Sequence, residues 1–313
     1  MKSHPHSRRT FIRKAATLGA AALVGVDARG SAAPMLPNPV GYATISWPEK
    51  QFEHALETIS ELGFKGVQVL GWIREKYATR VELLLDRLQM LKLQPVTLSC
   101  WNVDLVPGHA GDDLEQLRSY ARFFQRLGGL CLQVTDGGKP DANYSSETIR
   151  QLGARLNELG RAAQDHALTL GYHPHLGSIG ETREGASRIL DATEPSAVKL
   201  IADLGHLTLG GTDPGRFIRT YGERLILTHF KDVRKDAAAV ARTNRAALRG
   251  RKHLFCEIGR GVVDFAAVAA TFREVGHEGW IVVELDGNEP GPGGPDASAR
   301  ANRQAMRSLG FSI

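Results

Sequence analysis

The sequence predicts an α/β chain folded as a single (β/α)8 barrel of the TIM type, and three observations predict it. After Pro39 the hydrophobic pattern switches repeatedly between short β-rich runs and helical periodicity, with eight strand candidates in all. Those strands are apolar enough to be buried on both faces, as parallel strands covered by helices must be. The turn after the first strand reads Ser46-Trp47-Pro48, not the glycine-rich phosphate turn that an open dinucleotide-binding sheet would carry there.

The strand candidates are 40–46 (VGYATIS), 66–70 (GVQVL), 95–100 (PVTLSC), 130–135 (LCLQVT), 168–173 (LTLGYH), 198–203 (VKLIAD), 225–230 (LILTHF) and 280–284 (WIVVE). Amphipathic helices separate them. Phe52, Leu56, Ile59 and Leu62 share one helical face, as do Leu84, Leu88 and Leu91, and as do Leu114, Leu117, Ala121 and Phe124. Gly63, Gly128 and Gly276 follow helix ends, where a left-handed residue is easily supplied. No repeat longer than the β-α unit is visible, so residues 39–313 are expected to form one domain, joined by a linker at 34–38 to a leader at 1–33.

With 313 residues, 42% hydrophobic and 23% charged, the chain can bury a full core, which excludes a disordered tail protein, a fibre and a small disulfide scaffold. Residues 1–33 hold six of the 39 basic side chains and one of the 34 acids, which leaves 33 of each in the rest. The basic balance therefore belongs to the leader, and a neutral body gives no support for nucleic-acid binding. Cys100, Cys131 and Cys256 are an odd number without Cys-x-x-Cys spacing and lie in apolar contexts, so buried thiols are expected rather than a thiolate metal cluster.

In such a barrel, chemistry sits where the strands end. The fifth strand candidate ends in Tyr172-His173-Pro174-His175, the sixth in Asp203-Leu204-Gly205-His206, the seventh in His229-Phe230-Lys231-Asp232 and the eighth in Glu284-Leu285-Asp286. An unpaired carboxylate at the edge of an apolar strand is costly to desolvate, and a divalent cation relieves several such groups at once. Mixed imidazole and carboxylate ligands suit one Mn²⁺, Zn²⁺, Co²⁺ or Fe²⁺ better than Ca²⁺ or Mg²⁺.

Several motifs carry a resemblance. Ser7-Arg8-Arg9-Thr10-Phe11-Ile12-Arg13-Lys14, the mildly apolar run 15–26 and Ser31-Ala32-Ala33 resemble a twin-arginine signal peptide. The run is too short to span a bilayer, so the resemblance implies the twin-arginine export machinery, cleavage near Ala33, a periplasmic product and no stable membrane anchor. In the body, Ala202-Asp203-Leu204-Gly205-His206, Thr228-His229-Phe230-Lys231-Asp232, Gly259-Arg260-Gly261 with Val263-Asp264-Phe265, and Gly279 to Asp286 resemble the xylose isomerase-like barrel superfamily. Within it the chain is similar to the sugar phosphate isomerase/epimerase group that includes inosose dehydratases. The resemblance implies one divalent metal held by residues ending strands five to eight, usually Glu, Asp, His and Glu. Asp203, His229 and Glu284 fall on the last three positions, and His173 stands where the first carboxylate usually is. Either His173 is the ligand, or it supports a ligand supplied by His175 or Glu181. That departure weakens the epimerase reading and is more like the inosose dehydratase branch.

The chemistry implied is abstraction of a proton α to a carbonyl, with the metal acting as Lewis acid. Glu284, His175, His206 and Lys231 are the candidate catalytic residues, with Lys231 also placed to neutralise oxyanion charge and His206 to orient a ligand or the substrate. Trp47 and Trp101 could present flat faces to a sugar ring or simply pack the barrel top. Glu257 and Arg260 could bind substrate hydroxyls. The connection 233–255, with Arg234, Lys235, Arg242, Arg245, Arg249, Arg251 and Lys252 around an Ala-rich segment, is expected to be a lid, a partner surface or a solvated basic helix. Gly287 to Pro295 forms a second loop beside the expected pocket. The first expectation is an isomerase or epimerase acting on a sugar, cyclitol or oxidised glycoside. The alternative is a lyase of the inosose dehydratase or 3-keto-glycoside eliminase type. An endonuclease IV-like nuclease and a non-catalytic sugar-binding protein fit less well.

Overall fold

The computed structural model of the chain describes residues 35–103, 110–140, 142–287 and 289–313. The leader lies outside the described residues. In order, the chain forms β1 (Val40–Ala43), α1 (Phe52–Glu61), β2 (Gly66–Leu70), α2 (Trp72–Tyr77), α3 (Val81–Met90), β3 (Gln94–Val103), α4 (Ala110–Arg126), β4 (Cys131–Asp136), α5 (Ser146–Gln164) and β5 (Thr169–Tyr172). It continues through α6 (Arg183–Asp191), β6 (Val198–Asp203), α7 (Leu204–Leu209), α8 (Pro214–Tyr221), β7 (Leu225–Phe230), β8 (Asp232–Val233), α9 (Lys235–Asn244), β9 (Phe255–Cys256), α10 (Phe265–Val275), β10 (Trp280–Val283) and α11 (Gly294–Ser308). Eight strands, β1 to β7 and β10, pair in parallel and close into a barrel, which is the predicted TIM fold in one domain.

Alternation along each strand sorts its side chains between two apolar layers. Ala43, Val96, Cys131, Ile201, Leu227 and Val282 point inward and fill the barrel floor. Tyr42, Val67, Leu132, Val134, Tyr172 and Val283 point outward to the helices. The sequence-predicted helix faces pack accordingly, with Phe52, Leu56, Ile59, Leu84, Leu88, Leu117, Ala121 and Phe124 buried and Leu62, Leu91 and Leu114 at the margin. Cys131 and Cys256 are buried and Cys100 is half-buried, all as free thiols.

Two details differ from the expectation. The first strand stops at Ala43 because Thr44–Ser46 turn into a 3-10 helix, so the strand is shorter than 40–46. The connection after β7 contains the expected Ala-rich helical segment as α9 and adds an unexpected strand pair: β8 and β9 pair antiparallel, Asp232 opposite Cys256, and with α9 they enclose an apolar cluster of Leu209, Val233, Ala237, Leu248, Leu254, Phe255 and Leu285. Arg234, Lys235, Arg242, Arg249, Arg251 and Lys252 are exposed on this added layer, whereas Arg245 turns toward Glu181, and Phe255 of β9 packs on His206 and Lys231.

Helix α5 approaches the segment between α6 and β6 so closely that a Cβ at Gly160 would lie 2.2 Å from the Ala197 carbonyl oxygen. Alanine has the higher helix propensity by about 1 kcal/mol, but overpacking against rigid backbone costs about 1–3 kcal/mol. Gly160→Ala is therefore expected to lower the urea midpoint. An unchanged or raised midpoint would show that α5 can move away without loss.

Candidate metal centre

Inward-facing residues at the C-terminal ends of β5, β6, β7 and β10 converge, as the strand-end pattern predicted. Asp203 ends β6 and also caps α7: its Oδ1 accepts the His206 backbone N–H at 2.9 Å, which leaves Oδ2 turned to the barrel axis. There Oδ2 stands 3.5 Å from His229 Nδ1 and 3.3 Å from Lys231 Nζ. His229 Nδ1 is also 3.6 Å from Glu284 Oε2. Ligand atoms of His173, Asp203 and His229 all lie within 4.8 Å of one another.

The protonation states follow from Gln68, a buried residue of β2 that sequence reasoning did not single out. Its amide nitrogen donates to Glu284 Oε2, because an ionised carboxylate can only accept, and this places the Gln68 carbonyl 2.7 Å from His229 Nε2. Nε2 of His229 must then be the donor to that carbonyl, so Nδ1 is the nitrogen that could face an ion. His173 Nδ1 and His229 Nδ1 are buried without a hydrogen-bond partner, and Asp203 Oδ2 beside them makes no hydrogen bond and has the Lys231 ammonium at 3.3 Å. Lone pairs gathered face to face in a dry interior repel one another unless a cation sits among them. That is the donor set a borderline divalent ion needs.

Charge agrees with this fit. Lys231, 1% exposed, contacts Asp203, Glu284 Oε1 at 2.7 Å and Asp286 Oδ1 at 3.0 Å. One ammonium against these carboxylates leaves two negative charges, which one divalent ion balances. Burial opposes the charged form of Lys231, yet Asp203, Asp286 and Glu284 hold its pKa well above the usual lysine range. Burial likewise works to raise both acids, but Lys231 and neighbouring imidazoles prevail and hold Asp203 well below its usual range and Glu284 at about 2. His173 is pushed down to about 3 by burial and then by His229, and His206 is held well below normal by burial, His175 and Lys231. Both are neutral and suited to donate lone pairs.

The other predicted residues divide. His206 meets the Lys231 ammonium at 3.2 Å through Nε2, and its ring stacks obliquely on His175 with centroids 3.8 Å apart. Ligand atoms of His173, His175 and His206 also lie within 4.8 Å of one another, so His173 belongs to both groups. His175 Nδ1 contacts the Leu176 carbonyl at 2.7 Å, which fixes its proton there and leaves Nε2 free to accept. Glu181, the alternative ligand, is committed elsewhere: Oε2 accepts from Gly177 N–H at 2.8 Å and Oε1 faces Arg245. Trp47 does not present a face to the mouth; it is buried edge-on to Tyr42, with its N–H on Asp296 at 2.8 Å. Trp101 stacks on Tyr120 and donates to Asp113 at 3.1 Å, so one of its faces is covered. Glu257 and Arg260 pair with each other at 3.2 Å in a groove with Arg234 and Glu289, and Glu257 also accepts from Ser298. No described contact joins them to the His/Asp cluster.

Two further buried acids frame the site. Asp136, ending β4, accepts from the N–H groups of Gly138, Ile179 and Gly180 and from Tyr172 Oη, and so ties the loop after β5 to its neighbour strand. Asp232 accepts from the N–H groups of Val233, Gly259, Gly261 and Val263, which explains the glycines there: a Cβ on Gly261 would lie 2.3 Å from the carboxylate.

A buried imidazole–carboxylate cluster at the C-terminal mouth of a (β/α)8 barrel defines a class of metal-binding barrel proteins. The chain belongs to the xylose isomerase-like TIM barrel family, whose family model matches residues 56–309. It is 27% identical over 288 residues to an inosose dehydratase of Clostridium botulinum, covering 86% of this chain and 94% of that one. Among solved structures it is similar to the probable 3-DHS dehydratase AsbF of Bacillus anthracis, with TM-score 0.71, 16% identity, and 86% and 98% of the two chains covered. It is also similar to the IOLI protein with a bound zinc atom, with TM-score 0.69, 15% identity, and 88% and 100% covered. At those identities the structural likenesses establish the fold.

Removing the Gln68 relay tests the tautomer argument. Gln68→Leu frees His229 to protonate either nitrogen and is expected to weaken divalent-ion affinity by about 10- to 100-fold. Competition with a fluorescent chelator measures this, and wild-type affinity in the variant would refute the argument.

Proposed function

We propose that the protein is a metal-dependent lyase that dehydrates a cyclic keto-polyol of the inosose type. One observation carries the choice of elimination, the alternative reading of the sequence, over the isomerase/epimerase reading. At the end of β5 a neutral imidazole, His173, stands where a second proton-moving carboxylate would be needed, and the remaining acid, Glu284, has both oxygens engaged by Gln68 and Lys231. Inverting a carbon needs an acid and a base on opposite faces, whereas elimination needs one base and one proton donor. The similarity to inosose dehydratases supports the same reading.

A divalent ion held by His173, Asp203, His229 and Glu284 would supply Lewis acidity toward neighbouring carbonyl and hydroxyl oxygens of the substrate. Lys231, kept as an ammonium by three carboxylates, cannot act as base; it stabilises developing negative charge and its N–H groups can donate to the departing oxygen. His175 is half-buried at the mouth with Nδ1 turned to the Leu176 carbonyl, and its Nε2 takes the α-proton. The C–H electron pair becomes the new C=C bond, the β C–O bond breaks, and the hydroxyl leaves as water with a proton from Lys231 Nζ; the proton taken up by His175 restores the ammonium when the product departs. His206, wedged between His175 and Lys231, keeps base and donor apart.

Proton NMR of metal-loaded protein with inososes, ketoses and 3-keto-glycosides in deuterated water tests the reading. Loss of water from an inosose supports it; deuterium exchange with an inverted or shifted carbonyl and no elimination would return the isomerase/epimerase reading. We further propose periplasmic delivery by the twin-arginine route through residues 1–33. Retained export after Arg8→Lys with Arg9→Lys, followed by cell fractionation, would overturn that.

A further inference from the structure

We propose that Gln133 and Thr135 on β4 are the substrate-recognition residues of this site, holding ring hydroxyls on the side away from the metal ligands; the inference rests on the keto-polyol reading above. Cys131 belongs to the barrel-floor cluster, while Leu132 and Val134 face the helices. Alternation therefore aims Gln133 and Thr135 into the barrel. Gln133 is 6% exposed and donates through Nε2 to Ser99 Oγ at 3.3 Å, but its carbonyl oxygen is buried with no partner. Thr135 Oγ1 is likewise buried and unpaired. Natural proteins rarely leave such atoms unsatisfied, so each calls for a partner, and substrate hydroxyls reaching the adjacent histidine cluster would supply one.

A cleft of about 160 Å³ opens beside Thr135, lined by Asn102, Thr135, Asp136, His175, Leu176 and Ser178 together with three glycines, and Gln133 lies two residues deeper on the same strand face. His175 is shared between this cleft and the histidine cluster, so one molecule can reach both. The lining named for the cleft holds no lysine or arginine, and its carboxylate, Asp136, is spent on backbone N–H groups and Tyr172. An anionic substituent would find no cation here, while neutral hydroxyls find the Thr135 hydroxyl at the lining and, deeper on the same face, the Gln133 carbonyl. Two residues apart on one strand face, these side chains stand about 6.6 Å apart along the strand, a spacing that serves hydroxyls on different ring carbons rather than a single group.

The test uses metal-loaded full-length protein and myo-inositol, which offers the ring hydroxyls but no ketone to react. Calorimetry is expected to give affinities weakened about 3- to 10-fold in Gln133→Leu and Thr135→Val, the loss expected for one neutral hydrogen bond, and Thr135→Ser is expected to restore the Thr135 contact. With an inosose the same variants should raise KM by a similar factor, with kcat moved less and bound metal unchanged. Equal affinities in wild type and both variants, or no binding of myo-inositol to the wild type, would overturn the inference. Should wild type bind myo-inositol through these residues yet fail to dehydrate any inosose, the recognition site stands and the proposed reaction falls.

Discussion

Asp203→Asn is expected to release the divalent ion and to lower kcat/KM by about 10³-fold, the scale of losing the electrostatic centre of an active site. The variant isolates one oxygen. The amide oxygen can still cap α7 through the His206 N–H, so β6 and α7 keep their junction. At the other position an NH₂ now faces His229 Nδ1 across 3.5 Å, and a donor meeting a bare nitrogen forms a hydrogen bond where the ion had been. Asp203 is held well below its usual range because Lys231 outweighs the cost of burial, so removing the charge strands part of that buried ammonium and the melting temperature of the metal-free protein should fall. Elemental analysis of the purified variant decides the matter: close to one equivalent of bound transition metal, with activity, would remove Asp203 from the centre.

Lys231→Met is expected to produce opposite effects on stability, metal affinity and rate. Without metal, Lys231 is the cation facing Asp203, Glu284 and Asp286, and breaking a buried pair by deleting one partner costs about 3–5 kcal/mol. The metal-free variant should melt well below wild type. Divalent affinity should rise about tenfold or more, because the ion no longer shares its carboxylates with an ammonium a few ångströms away. Turnover should nevertheless fall by about 10²-fold with the proton donor gone. Melting with and without metal, chelator competition and kcat read the three effects separately. An unaltered melting temperature in the metal-free form would mean that Lys231 is not the counter-charge.

The barrel was legible because its cause is local: apolar strands alternating with amphipathic helices, punctuated by Gly63, Gly128 and Gly276, which do adopt the left-handed conformation with φ of +86°, +72° and +66°. His173, Asp203, His229 and Glu284 were legible because each is a polar residue closing an apolar run. Gln68 was not, since a glutamine within GVQVL reads as the solvent face of an ordinary strand until closure turns that face into an interior. Gln133 was hidden for the same reason. Pairing of β8 with β9 was invisible because the strands are two residues long and lie across the intervening α9 segment. Trp47 misled because strand-end position alone does not distinguish a ring facing ligand from one packed beneath α11.

Asp136 carries a consequence for ion choice. Its clasp on Ile179, Gly180 and Tyr172 braces the histidine-bearing turn against the adjacent strand before anything binds. A frame braced in advance spends little entropy on loading, but it also stretches poorly. Ions that bond nitrogen and oxygen at about 2.0–2.2 Å find suitable donors within it, whereas calcium, which prefers oxygen ligands, meets imidazole nitrogens at two of the positions. Discrimination against abundant calcium would then come from the imidazole nitrogens of that donor set, held ready by a turn that never touches the ion.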